Sequence, residues 1–306
     1  MITCNPEDIL TKYQNGNLRV TILKDGTKIR EYPQGELPYP EFPESIDLKI
    51  TNYCVNGCKY CHERSNPQGR AASVEEILTA IDGLPKGVEV AIGGGDPLSH
   101  PYLSTILYEF YKRGFISNIT IHQTQVGSLI FSSIISPAVY HGVGVSVVDP
   151  DLMHYISELM SDYVMHLIVG VNKVQDLITL HEKGFRKFLL LGYKTFGRGM
   201  DYRLNHNQEI ETNIRDWKVS LSKLIHLSSD TVISFDNLSI EQLNPKRLFI
   251  DQLDWDKFYM GDEFTYSMYV DAVGGTYAPT SRSVDRTPIS EMSILEYFKT
   301  YRGSKV

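Results

Sequence analysis

Between residues 46 and 235 the apolar positions alternate between two periods. Short runs rich in Val, Ile and Leu at 46–51, 88–92, 118–122, 143–147, 165–171 and 187–191 read as buried strands. Helical spacing fills the gaps. Ser73-Val-Glu-Glu76 is a capping-box pattern and is followed by Ile77, Leu78, Ile81 and Leu84 on one face. Leu103, Ile106, Leu107 and Phe110 share the face of a second helix that ends at Gly114, and further helices are expected over 129–135, 152–160, 174–183 and about 208–227. Six strand-helix units result, and 231–235 adds a strand. Such alternation implies a parallel sheet with right-handed crossovers, and the length suits a curved or closed barrel better than a flat doubly wound sheet.

The flanks follow another pattern. Two β-rich runs around Lys24-Asp25-Gly26 predict a hairpin over 18–32, since Asp-Gly supplies the positive φ angles of a tight turn. Pro33, Pro38, Pro40 and Pro43 then make an extended connector. After the barrel, 266–271 and 276–279 flank Ala272-Val-Gly-Gly275 as a second hairpin, followed by a helix over 294–301. The expected organisation is a β appendage over 1–45, a barrel over 46–236 and an extension over 237–306. The appendage is expected to cover one end of the barrel.

Composition narrows the class. With 42% apolar and 22% charged residues the chain can bury an ordinary globular core. The longest apolar runs are of strand length and predict no membrane span. Without a basic-then-apolar start at Met1-Ile-Thr-Cys-Asn-Pro, the reading is a cytoplasmic protein. A net charge of -7 argues against a nucleic-acid surface, which needs clustered Lys and Arg.

The chemistry concentrates in Cys54-Val-Asn-Gly-Cys58-Lys-Tyr-Cys61, three of the four cysteines within eight residues, on a loop leaving the first barrel strand. Three thiolates can hold three irons of a 4Fe-4S cube and leave the fourth iron open. A zinc site would need a fourth ligand such as His62, and a disulfide would leave an odd thiol and need an oxidising compartment. Cys4 reads as a bystander.

The C-x3-C-x2-C spacing, with Tyr60 before the last cysteine, resembles the signature of the radical S-adenosylmethionine (radical SAM) superfamily. The resemblance implies a partial (β/α)6 TIM-like barrel, a 4Fe-4S cluster on Cys54, Cys58 and Cys61, and S-adenosyl-L-methionine bound at the open iron. It also implies reductive cleavage to a 5'-deoxyadenosyl radical, with an electron from a flavodoxin-like or ferredoxin-like donor. Gly93-Gly94-Gly95-Asp96 follows the second strand and matches the family's "GGE" motif, with Asp96 where Glu is commoner. Gln123 and Ser146, at the ends of the third and fourth strands, are implied cosubstrate contacts, Ser146 with Asp149 resembling an "S-L-D" pattern.

Lys194 and Arg198, after the sixth strand, are cations at the barrel mouth suited to a carboxylate or phosphate. One is assigned to the methionine carboxylate and the other to the substrate. His62 and Glu63 could tune the cluster, move a proton, or only decorate a surface loop. The tail resembles the hairpin-helix part of SPASM and twitch extensions, but residues 62–306 contain no cysteine. An extension without thiolates can serve as a lid or platform, with Met260, Tyr266 and Tyr277 nearby, or as a cap on the barrel. The expected substrate is a peptide before a small metabolite or nucleotide. The alternative from another class is a non-catalytic iron-sulfur sensor on the same scaffold.

Overall fold

A computed structural model describes residues 5–127, 139–154 and 162–302. The helix expected over 129–135, most of that expected over 152–160, and Cys4 lie outside them. The barrel strands are β4 (Ser45–Thr51), β5 (Glu89–Gly94), β6 (Ile116–His122), β7 (Gly142–Ser146), β8 (Val164–Ile168), β9 (Lys187–Leu191) and β10 (Val232–Phe235). Each pairs in parallel with the next. All six expected strands form, and the seventh completes the run.

From the tail, β11 (Ser267–Asp271) pairs in parallel with β4, on the side away from β5. Its hairpin partner β12 (Thr276–Ala278) and β13 (Thr287–Pro288) then add antiparallel. The sheet therefore runs β10-β9-β8-β7-β6-β5-β4-β11-β12-β13, and among the described residues no pairing joins its two edges. This is the curved parallel sheet that the alternation implied, in the partial-barrel form that the resemblance implied.

Alternation along β4 decides which residues can do chemistry. Ile46, Leu48 and Ile50 are buried towards the helices, where they pack with Ile77 of α1 (Val74–Ala80) and Ile106 of α2 (Leu103–Lys112). Each such side chain contributes about 1.5–3 kcal/mol. Asp47, Lys49 and Thr51 then point to the opposite face, into the barrel. The expected capping box at Ser73 and Glu76 forms, with both reciprocal hydrogen bonds.

Three expectations are corrected. The N-terminal hairpin is a three-stranded sheet, because β1 (Ile9–Asn15) precedes β2 (Leu18–Leu23) and β3 (Lys28–Glu31). The Gly16-Asn17 turn joins β1 and β2, and a Cβ at Gly16 would lie 1.8 Å from the Tyr39 carbonyl oxygen. The strand expected over 165–171 ends at Ile168 in a turn. The long helix begins ten residues earlier than its apolar face suggests, as α4 (Arg198–Leu224) after α3 (Val174–Glu182), with a kink at His206.

As expected, the N-terminal sheet covers one end of the barrel, the one where the strands begin. Lys28 bridges Glu89 at 2.5 Å and Glu44 at 3.7 Å, and Arg30 meets Glu44 at 2.8 Å. Glu44 is fully buried just before β4, so these cations offset its desolvation. The opposite end, where the strands finish, stays open for ligands.

Candidate active site

The cysteine loop leaves β4 and folds back on itself. Backbone bonds from Asn52 to Arg70, from Cys54 to Asn66 and from Ala72 to Ile50 close its base at 2.8–3.1 Å. Gly69 permits the approach, since a Cβ there would lie 2.1 Å from the Asn52 carbonyl oxygen. Cys54, Cys58 and Cys61 all line one cavity of about 390 Å³ at the strand ends, large enough for a small molecule. Burial, then the neighbouring Cys61 and Cys54, push the Cys58 thiol up. Three crowded thiols become stable thiolates only with a positive partner, which is what iron in a cluster supplies. Three soft sulfur donors lining one open cavity fit an iron-sulfur cluster.

The glycines divide by role. Gly94 has φ +111°, and a Cβ there would lie 2.5 Å from the Thr51 carbonyl oxygen; at Gly95 it would lie 2.2 Å from that of Tyr53. Both are bare so that β5 can press against the chain entering the cysteine loop, and the Gly95 and Asp96 amides each donate to that chain at 2.7 Å. Gly93 instead has nothing within 4 Å of a would-be Cβ and faces the cavity. Asp96 also lines the cavity, but its carboxylate accepts from the Leu98 amide at 3.1 Å, Gln125 Nε2 at 2.8 Å and Ser99 Oγ at 2.5 Å. It fixes the turn with most of its lone pairs.

Two sequence-assigned residues stand elsewhere. Gln123 does not line the cavity: its Oε1 accepts from the Val148 and Asp149 amides at 2.5 and 2.8 Å, and its Nε2 donates to the Asp149 carbonyl at 3.2 Å. It ties the end of β6 to the loop after β7. Arg198 is not a cation at the barrel mouth either. Its Nε donates to the Cys58 carbonyl at 2.9 Å, its Nη1 to that of Ser65 at 2.8 Å, and its amide to that of Cys61 at 2.9 Å. The first turn of α4 thus bolts the cysteine loop down, helped by Gly197, where a Cβ would lie 2.2 Å from the His62 carbonyl oxygen.

Ser146 and Lys194 do line the cavity. The Lys194 ammonium donates to Ser281 Oγ at 3.0 Å and lies 3.4 Å from His62 Nε2. Burial and the Lys194 and Lys49 charges hold His62 well below the usual histidine range, so it is neutral. Glu63, which the sequence left open between roles, sits in a network. It binds Lys49 at 2.6 Å and accepts from the Tyr269 hydroxyl at 2.8 Å, while Lys49 also meets Asp271 at 3.2 Å. The tail strand β11 is thereby tied to the cysteine loop, whereas Met260, Tyr266 and Tyr277 do not line the cavity.

Sequence reasoning missed Asp47, His166 and Tyr269, which all line the cavity. The signal was present in Ile46-Asp-Leu-Lys-Ile50, where a polar residue at every second place of a buried strand marks an inner face.

Residues 48–173 match the model of a family described as the Radical SAM superfamily. No curated protein matches the chain. Among solved structures, the chain is similar to Streptococcus suis SuiB bound to S-adenosylmethionine, with a TM-score of 0.63 and 12% identity over 99% of this chain and 91% of that one. It is also similar to SuiB bound to the precursor peptide SuiA, with a TM-score of 0.57 and 14% identity over 85% of this chain and 65% of that one, just under two thirds of its length. At these identities the likeness is one of fold.

Proposed function

Because the chain belongs to the radical SAM superfamily, whose members use a 4Fe-4S cluster and S-adenosylmethionine, we propose that it is an enzyme that reductively cleaves S-adenosylmethionine and abstracts hydrogen from a substrate. When bound, the cluster supplies one electron to the sulfonium and so yields a 5'-deoxyadenosyl radical. The observation that carries this reading is the convergence of Cys54, Cys58 and Cys61 with Gly93 and Ser146 on one cavity.

The three thiolates would hold the cluster, and Arg198 keeps their loop in register through the Cys58 and Ser65 carbonyls. Gly93 and Ser146 offer backbone and hydroxyl groups to the nucleoside, with Asp96 fixing the turn beside them. Lys194 is the cation available to a carboxylate in the same cavity.

A peptide is the favoured substrate, supported by the hairpin-helix tail and by the likeness in fold to SuiB, which has been crystallised with a precursor peptide. A flavodoxin-like or ferredoxin-like protein in a reducing cytoplasm would supply the electron. The test is anaerobic incubation of the reconstituted protein with dithionite and S-adenosylmethionine. The expected result is 5'-deoxyadenosine, lost by about a hundredfold or more in Cys54→Ser, Cys58→Ser or Cys61→Ser. A reduced, intact cluster that never cleaves the cosubstrate would overturn the reading in favour of a sensor.

A further inference from the structure

Asp47 is the one acidic residue of the cavity wall that no other group answers among the described residues. It lies on β4, opposite Ala91 of β5 on one side and Tyr269 of β11 on the other, and its side chain faces the cavity. No hydrogen bond or ion pair reaches its carboxylate from any described residue. The other acidic groups around the cavity are answered at short range, and Lys194 bonds no carboxylate. Lys49 holds Glu63 and Asp271, Asp96 takes three donors, and Lys194 is turned to Ser281 and His62. Asp47 is exposed to the cavity, and the surrounding barrel walls push its pKa up; Lys194 lowers it and Asp236 raises it, each from beyond contact.

His166 repeats the pattern on β8. Its ring packs across bare Gly144 of β7, where a Cβ would lie 2.3 Å from the imidazole Cε1, and no described residue bonds either ring nitrogen. Burial alone holds it down at about 4, so it is a neutral imidazole with a free acceptor and a free donor. The small Ala91 and Gly93 leave room where barrels normally pack large side chains.

A carboxylate open to a cavity and bonded to no neighbour is free to accept from a charged donor, the stronger class of hydrogen bond. We propose that Asp47 anchors an ammonium group of the substrate, with His166 as a second polar contact. This rests on the radical-enzyme reading and names the chemistry of its substrate: a primary amine, carried either on a peptide lysine or on a free small molecule.

Isothermal titration of the anaerobically reconstituted protein tests it, with n-butylammonium, N-acetyl-lysine amide, butan-1-ol and butyrate as probes. The wild type is expected to bind an ammonium probe about tenfold or more tighter than butan-1-ol, since a hydrogen bond to a charged group contributes about 1.5–3 kcal/mol. Asp47→Asn should reduce that preference to within about twofold. Ala91→Leu, which fills the adjoining space and leaves the carboxylate, should weaken every probe alike. Lysine-amide binding equal to or tighter than butylammonium points to a peptide side chain, and butylammonium alone to a free amine. An equal affinity of wild type for ammonium and alcohol, or a preference that survives in Asp47→Asn, overturns the proposal. Failure of the parent reading is scored separately, as absence of 5'-deoxyadenosine from wild type.

Discussion

At the scale of single residues, an unanswered carboxylate has a thermodynamic signature. Burial raises the Asp47 pKa above its unfolded value, so the folded state holds that proton more tightly. The stability this confers is present at low pH and is lost as pH rises through the folded pKa. At neutral pH the charge is a liability, and Asp47→Asn should melt no lower than wild type. The two curves are expected to converge towards the acid end, and a melting point several degrees lower at pH 7 would contradict this.

His166 has the opposite sign. Its folded pKa of about 4 lies below the unfolded value, so its contribution is full above about pH 6.5 and is lost as pH falls through about 4. Replacing it with Gln should flatten the acid limb of a stability-pH profile. Gly95 makes the complementary steric case. Gly95→Ala drives a Cβ to within 2.2 Å of the Tyr53 carbonyl oxygen and should cost about 2 kcal/mol or more in urea unfolding, whereas Gly93→Ala should fold normally.

At the scale of elements, the sequence was most legible where pattern and function shared one stretch. The six strands, the capping box at Ser73, and the tail hairpin and helix follow from periodicity and capping chemistry. What stayed hidden was set by distant carbonyls. Gly197 and Gly199 must be bare because a Cβ would lie 2.2 Å from the His62 carbonyl oxygen and 2.3 Å from that of Lys194, neither of which any local pattern shows. Arg198 read as a free cation, since nothing local reveals that its partners are the Cys58 and Ser65 carbonyls. Gln123 likewise sits at a strand end but spends its amide on the Val148 and Asp149 backbone. If Arg198 is a bolt, Arg198→Ala should cost about 1.5–3 kcal/mol and lower iron incorporation together. Full iron loading with unchanged stability would return Arg198 to the ligand.

At the scale of the whole molecule, the C-terminal extension is wired into the barrel. β11 lengthens the sheet beside β4, and Tyr269 and Asp271 reach Glu63 and Lys49 next to the cysteines. A tail with no cysteine can therefore still act on the site by holding its walls. Tyr269→Phe and Glu63→Gln should each destabilise by about 1 kcal/mol, and the double variant by less than their sum, because they remove one shared bond. Strict additivity would mean the tail does not brace the loop.

The central proposal is that Cys54, Cys58 and Cys61 would hold a cluster that meets the cosubstrate directly. Electron-nuclear double resonance on the reduced protein, with S-adenosylmethionine labelled with 15N in its amino group, tests it most directly. The account predicts a 15N coupling to the cluster spin that is absent without the nucleoside. A four-iron cluster spectrum with no such coupling at saturating S-adenosylmethionine would contradict it.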